Sequence, residues 1–167
     1  MTRWIGVDPG LGGAIAVFDT AADSLMVHAM PVFELTRNAK AKREINVAAL
    51  ADLIDEAQPD AAVVEQVGAM PGNPGASMFA FGKGYGIILG ILAANRITVH
   101  PASPAVWKKA MGLQGKGKDA SRAEATRLFP EHAKSFARVK DDGMAEAALL
   151  CLWASKKFSV RSASDFD

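Results

Sequence analysis

Apolar residues recur along this chain in two rhythms. Near the start, Trp4-Ile5-Gly6-Val7 and Ala14-Ile15-Ala16-Val17-Phe18 are short apolar runs, each ending on an aspartate, Asp8 and Asp19. Runs of that length bounded by turn residues predict buried strands. Pro9-Gly10-Leu11-Gly12-Gly13 is the turn between them. The polar connection Asp19-Thr20-Ala21-Ala22-Asp23 then leads to a third strand. The three, about 3–8, 13–19 and 24–31, are expected to run antiparallel. Ala61-Ala62-Val63-Val64 and Ile97-Thr98-Val99-His100 read as further strands, the first ending on Glu65.

The second rhythm is helical. Val47, Leu50, Leu53 and Ile54 share one face of a helix that Asn46 can cap and Pro59 stops. A long helix is predicted over about 76–95 despite Gly82, Gly84, Gly86 and Gly90. Each costs roughly 1 kcal/mol relative to alanine, with close helix packing as the expected compensation. Ser103-Pro104 opens a short helix carrying Trp107-Lys108-Lys109, with Trp107 read as core. Asp119 or Ser121 leads into another that ends near Phe129-Pro130, and the last helix spans about 141–157. The polar, basic stretch 36–44 reads as a solvated loop, and the tail after Ser159 is expected to fray. No repeat or second domain is visible. The pattern is that of one α/β domain over 1–167. Its mixed five-stranded sheet, three antiparallel N-terminal strands plus parallel strands, is flanked by helices.

Composition narrows the function more than the fold. Half of the 167 residues are hydrophobic and the net charge is +1, so there is no global basic field. Contacts with nucleic acid would have to come from local basic clusters. The single cysteine, Cys151, excludes an internal disulfide and fits a reducing compartment. No signal-peptide pattern and no charge-free apolar stretch of about 18 residues is seen, so a cytoplasmic protein without a membrane span is expected. His28, His100 and His132 have no metal-ligand spacing with cysteine. No Ser-His-Asp pattern with a nucleophile elbow occurs. Gly82-Lys83-Gly84-Tyr85-Gly86 lacks the Lys-Ser/Thr ending of a nucleotide loop. No organic cofactor is expected.

The acids are the informative groups. Val7-Asp8 and Val64-Glu65 put carboxylates at the ends of two buried strands, where folding has no use for them. Asp141 and Asp142 open the last helix, and Glu146 lies four residues after Asp142 on the same face. Like charges about 4 Å apart near a surface repel by on the order of 4 kcal/mol. Each acid also has a plain reading: Asp8 as a turn residue, Glu65 as the partner of a surface lysine, Asp141 and Asp142 as helix caps. Four acids converging on one point would call for a counter-ion, and hard divalent cations ligated by oxygen supply it. Two such ions about 4 Å apart can clamp both reacting oxygens of a phosphodiester.

Ile5-Gly6-Val7-Asp8-Pro9-Gly10, then Val63-Val64-Glu65-Gln66-Val67, then Asp141-Asp142-Gly143-Met144-Ala145-Glu146-Ala147 resemble the RuvC-type Holliday junction resolvases over about residues 3–155. The glycine-rich region 68–86 is similar to the phage and phage-derived branch. The resemblance implies a ribonuclease H-like fold and a homodimer using Mg²⁺ or Mn²⁺, two ions per site. The implied reaction places paired symmetric nicks in four-way DNA junctions, leaving 5′-phosphate and 3′-hydroxyl ends.

Carried over, Asp8 is the ligand shared by both ions, Glu65 holds one, and Glu146 is the last carboxylate. The bacterial enzyme's preceding acid falls on Gly143. Asp142 is taken as the fourth ligand because it shares a face with Glu146, with Asp141 as its substitute. Lys108 and Lys118 match the family's functional lysines, and Lys109 and Lys116 are candidate phosphate contacts. Gly68 stands where the bacterial enzyme has a phenylalanine wedge, which leaves Met70 as the nearest apolar wedge candidate. Phe79 and Phe81 are candidates for the junction centre or the dimer contact. Arg37, Lys40, Lys42 and Arg43 either meet DNA or form a plain basic loop. Three other readings remain open at this stage. One is a ribonuclease H-like nuclease on other branched DNA or hybrids, and another is a non-catalytic junction-binding module. The third, a sugar kinase or actin-like ATPase, would need a second phosphate-binding domain that this length does not hold.

Overall fold

A computed structural model of the chain describes residues 2–37, 40–68, 72 and 74–158, apart from the side chains of 37 and 40. Met70 and the tail after 158 therefore lie outside the described residues. Strands β1 (Arg3–Asp8), β2 (Ala14–Asp19) and β3 (Ser24–Ala29) form an antiparallel meander. Strands β4 (Val32–Arg37) and β5 (Lys40–Ile45) form a separate two-stranded ribbon. Helix α1 (Val47–Ala57) leads to β6 (Ala61–Glu65), and α2 (Gly75–Ala94) leads to β7 (Thr98–Ala102). Helices α3 (Pro104–Ala110), α4 (Lys118–Leu128) and α5 (Asp142–Phe158) complete the chain, with two 3-10 turns between α4 and α5. The main sheet has the order β3-β2-β1-β6-β7, with β6 parallel to both β1 and β7.

The two-residue period of the strands divides the core. Ile5, Val7, Ile15, Val17, Ala62 and Val64 face α1 and α2, where Leu50, Ile54, Ile88 and Leu92 meet them. Trp4, Ala14, Ala16, Phe18 and Val63 face the other way, onto α5 and its neighbours. Asp8 and Glu65 continue the second set, so both turn toward α5. The register pairs Val7 with Val64, which sets Asp8 and Glu65 at adjacent ends of parallel strands. Helix α5 can lie this close because β1 carries Gly6. A Cβ there would stand 2.7 Å from both the Ala147 carbonyl oxygen and Cys151 Cβ.

Asn46 caps α1 as its sequence predicts: its side-chain oxygen accepts from the Ala49 N–H at 3.2 Å. The basic stretch 36–44 differs from expectation. It is not a loop, because Val32–Arg37 and Lys40–Ile45 pair antiparallel through six residues each, placing Glu34 opposite Arg43. A two-stranded ribbon can be wet on both faces, so a run of charge does not exclude it. Helix α2 also departs from expectation. Of its glycines, Gly84 alone has a neighbour within 4 Å, the Ile45 side chain at 3.1 Å, while 82, 86 and 90 face open space. The 20-residue helix is long and apolar enough to cross a membrane by length and composition. Its C-terminal half is anchored in the core by Ile88 and Leu92, and Lys83 pairs with Glu44 of the ribbon at 3.0 Å.

Candidate active site

An open cleft of about 710 Å³ lies at the ends of β1 and β6. Asp8, Glu65, Asp142 and Glu146 all line it, with Lys118 and Lys140 also on the wall. Burial pushes the Asp8 carboxyl up from an ordinary 3.8 to about 7, and the charges of Glu65 and Glu146 add to it. Lys108 and Lys118 act in the opposite direction on Asp8. Burial likewise raises Glu65. The indole of Trp107 opposes that shift, Glu146 adds to it and Lys108 lowers it. Both carboxyls are therefore harder to ionise than solvated acids, with burial the main cause.

Glu65, Glu146 and Asp142 each have a protein partner. Trp107 is fully buried, as a core residue should be, yet its Nε1 donates to Glu65 Oε1 at 2.9 Å. Lys108 Nζ donates to Glu146 Oε1 at 2.8 Å, and Ser121 Oγ reaches the same oxygen at 3.4 Å. Arg122 Nη1 donates to Asp142 Oδ1, and Lys118 Nζ stands 3.8 Å from Asp142 Oδ2. Among the described residues, no three His, Cys, Asp or Glu side chains are gathered to grip a metal ion. The side chains that could hold one are Asp8, Glu65, Asp142 and Glu146, an all-oxygen set suited to a hard divalent ion.

Asp141 and Asp142, adjacent in sequence, have opposite fates. Asp141 ends the second 3-10 turn, buried, with both oxygens on the Arg138 guanidinium at 2.9 Å. That contact holds its carboxyl below the usual range. Asp141 is absent from the cleft wall, whereas Asp142 opens α5 inside it. The substitute ligand is thus committed elsewhere.

The basic candidates separate too. Lys108 and Lys118 reach the acids. Lys109 is exposed on α3 and is not part of the cleft wall. Lys116 lines a different hollow, beside Glu124 and Arg127. Arg37 and Lys40 pair across the ribbon, remote in sequence from the acids, and their side chains are outside the description. Phe81 lines the cleft, while Phe79 lines a groove on the other flank of α2. His132 stands 3.9 Å from Glu131 and is not on the cleft wall. Sequence reasoning missed Ser121, Arg122, Lys140 and the polar role of Trp107. Arg122 and Ser121 sit one turn or less from Lys118, and that spacing was the available signal.

No protein-family model matches the chain. Its sequence is 36% identical over 102 residues to the chloroplastic Holliday junction resolvase MOC1 of Chlamydomonas reinhardtii. That match takes in 59% of this chain and 12% of the relative's length. Among solved structures, Thermus thermophilus RuvC in complex with a Holliday junction substrate superposes with a TM-score of 0.65 at 12% identity, covering 95% of this chain and 98% of that one. A second structure of Thermus thermophilus RuvC gives 0.59 at 16% identity, covering 93% and 96%. The yeast mitochondrial Holliday junction resolvase gives 0.57 at 15% identity, covering 91% and 77%. The chain has the ribonuclease H-like fold of the RuvC-type resolvases. Its acid cleft lies where the strand ends of that fold meet the last helix.

Proposed function

We propose that the protein is a metal-dependent, structure-selective endonuclease that resolves four-way DNA junctions by paired symmetric nicks. The observation that carries this reading is the meeting of Asp8, Glu65, Asp142 and Glu146 in one open cleft, from three distant parts of the chain. The resolvase fold and the resolvase relative support it.

The all-oxygen donor set suits Mg²⁺ or Mn²⁺, which Asp8, Glu65, Asp142 and Glu146 would hold. When bound, such ions supply a deprotonated water and neutralise charge on the departing 3′-oxygen. The remaining work falls to the chain's own groups. Trp107 fixes the orientation of Glu65 through its indole N–H. Lys108 and Ser121 fix Glu146. Lys108 and Lys118, whose ammonium groups stand beside the acids, are the cations assigned to stabilise charge on the phosphate in the transition state. Lys140 binds a neighbouring backbone phosphate at the cleft wall. The hydrolysis leaves 5′-phosphate and 3′-hydroxyl ends.

The substrate's two-fold symmetry calls for two such sites. A second copy packed on the exposed apolar flank of α2 supplies the other, each protomer cutting one of two like-oriented strands. The test is purified protein on a synthetic immobile four-way junction with Mg²⁺, beside Asp8→Asn. Symmetric nicks from the parent, lost in the variant with junction binding kept, support the reading. Junction binding without cleavage by the parent would replace it with a binding module.

A further inference from the structure

Gly143 decides where the acids of α5 can stand. A Cβ at that position would lie 2.6 Å from the Gly12 carbonyl oxygen and 2.9 Å from Gly13 Cα, both backbone atoms that cannot yield. No side chain fits there. The nearest acid before Glu146 on its face is therefore a full turn away, at Asp142, and that position meets α4. Both of its oxygens are engaged from α4: Oδ1 by Arg122 and Oδ2 by Lys118. The two cations are not equivalent. The Arg122 and Asp142 side chains are 16% and 12% exposed, whereas Lys118 is 73% exposed and screened by water. Arg122 also has Asp119 at 3.8 Å on its own helix, which helps to keep the guanidinium in place. A guanidinium held in a half-buried pair is a rigid, permanently charged partner for a carboxylate.

We infer that Arg122 is a positioning residue that holds Asp142 as an internal counter-ion, so that a divalent cation gains Asp142 only by displacing the guanidinium. The inference rests on the metal-dependent reading of the cleft. It assigns Arg122 no contact with substrate. Its role is to keep the fourth acid in place and its charge neutralised in the empty cleft, at the expense of metal affinity.

The test is a double-mutant cycle read by calorimetric titration of Mn²⁺ into the DNA-free full chain. Parent, Arg122→Gln, Asp142→Asn and the double variant are compared. Arg122→Gln is expected to bind Mn²⁺ at least fivefold tighter than the parent. With Asp142→Asn in place, the same change should alter affinity less than twofold. Arg122→Lys, which keeps charge but loses the fork, should fall between parent and Arg122→Gln. If Arg122→Gln tightens Mn²⁺ equally in both backgrounds, it acts only as one more positive charge and the inference fails. It also fails if Arg122→Gln binds Mn²⁺ no better than the parent. If Arg122→Gln does not fold, Arg122→Lys decides: a gain of twofold or more that vanishes with Asp142→Asn supports the inference, and no gain overturns it. No Mn²⁺ binding by any of the four proteins would sink the metal-nuclease reading itself, a different outcome from lost coupling.

Discussion

The acid cleft and the groove beside α2 are both left unfinished, in opposite ways. The cleft gathers carboxylates from β1, β6 and α5, and Asp8 is pushed up to about 7 by burial and its acidic neighbours. The groove, about 560 Å³ between α2 and the β4–β5 ribbon, is lined by Leu11, Phe33, Val47 and Phe79. Phe79 is 76% exposed, an unusual position for a phenylalanine in a folded chain. One region crowds carboxylates that lysine, arginine and indole groups hold in place, and the other leaves apolar side chains exposed. In the reading proposed above, a hard cation occupies the first and a second copy of the chain covers the second.

Asp8→Asn attacks the cleft side of this contrast at its centre. It should cut junction cleavage by roughly a thousandfold or more, because it removes a carboxylate from the proposed metal-holding set. Cleavage within tenfold of the parent would remove Asp8 from the site. Phe79→Asp attacks the groove. It should weaken self-association about a hundredfold, close to 3 kcal/mol, as measured by sedimentation equilibrium. An unchanged association constant, or no self-association by the parent, would remove the α2 groove as the proposed dimer contact.

Acidity sharpens the contrast further. The folded Asp8 holds its proton up to about pH 7, whereas an unfolded chain releases it near 3.8. Between those values the folded state binds more protons, so metal-free stability falls as pH rises from about 4 to about 7 and then levels off. The loss is about 2 kcal/mol, less than the full shift implies because the cleft is open to water. Urea unfolding with chelator present would measure it. Asp8→Asn should flatten the slope, and Mg²⁺ should reverse the loss at pH 8. An equally steep fall in Asp8→Asn would place the titrating group elsewhere. Asn46→Ala, on the groove wall but away from its aromatic side chains, should cost only about 1 kcal/mol through the lost α1 cap. A larger loss would mean that α1 supports the groove more than its packing suggests.

Much of this architecture was readable because strands impose a simple parity. Asp8 and Glu65 each follow a buried valine, so one period-2 argument places both on the face that meets α5. The boundary of α5 was harder. Asp141 and Asp142 look interchangeable in sequence. A 3-10 turn over Val139–Asp141 hands the first to Arg138 and leaves the second to the cleft. Only a turn geometry set by tertiary packing decides that. The ribbon was misread because charge was taken as a mark of a loop, although Glu34 opposite Arg43 is a favourable cross-strand pair. Arg122 escaped notice for a similar reason. On a polar helix it resembles a solvated residue until α4 is seen to lie against α5. The long glycine-bearing helix was recognised correctly, but its glycines were expected to be packed, and most face outward.

The close crossing of α5 over Gly6 has a consequence for biosynthesis. Asp8 and Glu65 emerge early from the ribosome, yet Asp142 and Glu146 arrive only with α5, which must then dock on β1. Until that docking, the nascent polypeptide holds only two of the four acids that line the cleft. The order of synthesis thus delays the assembly of the four-acid cleft until α5 has left the ribosome and packed against β1.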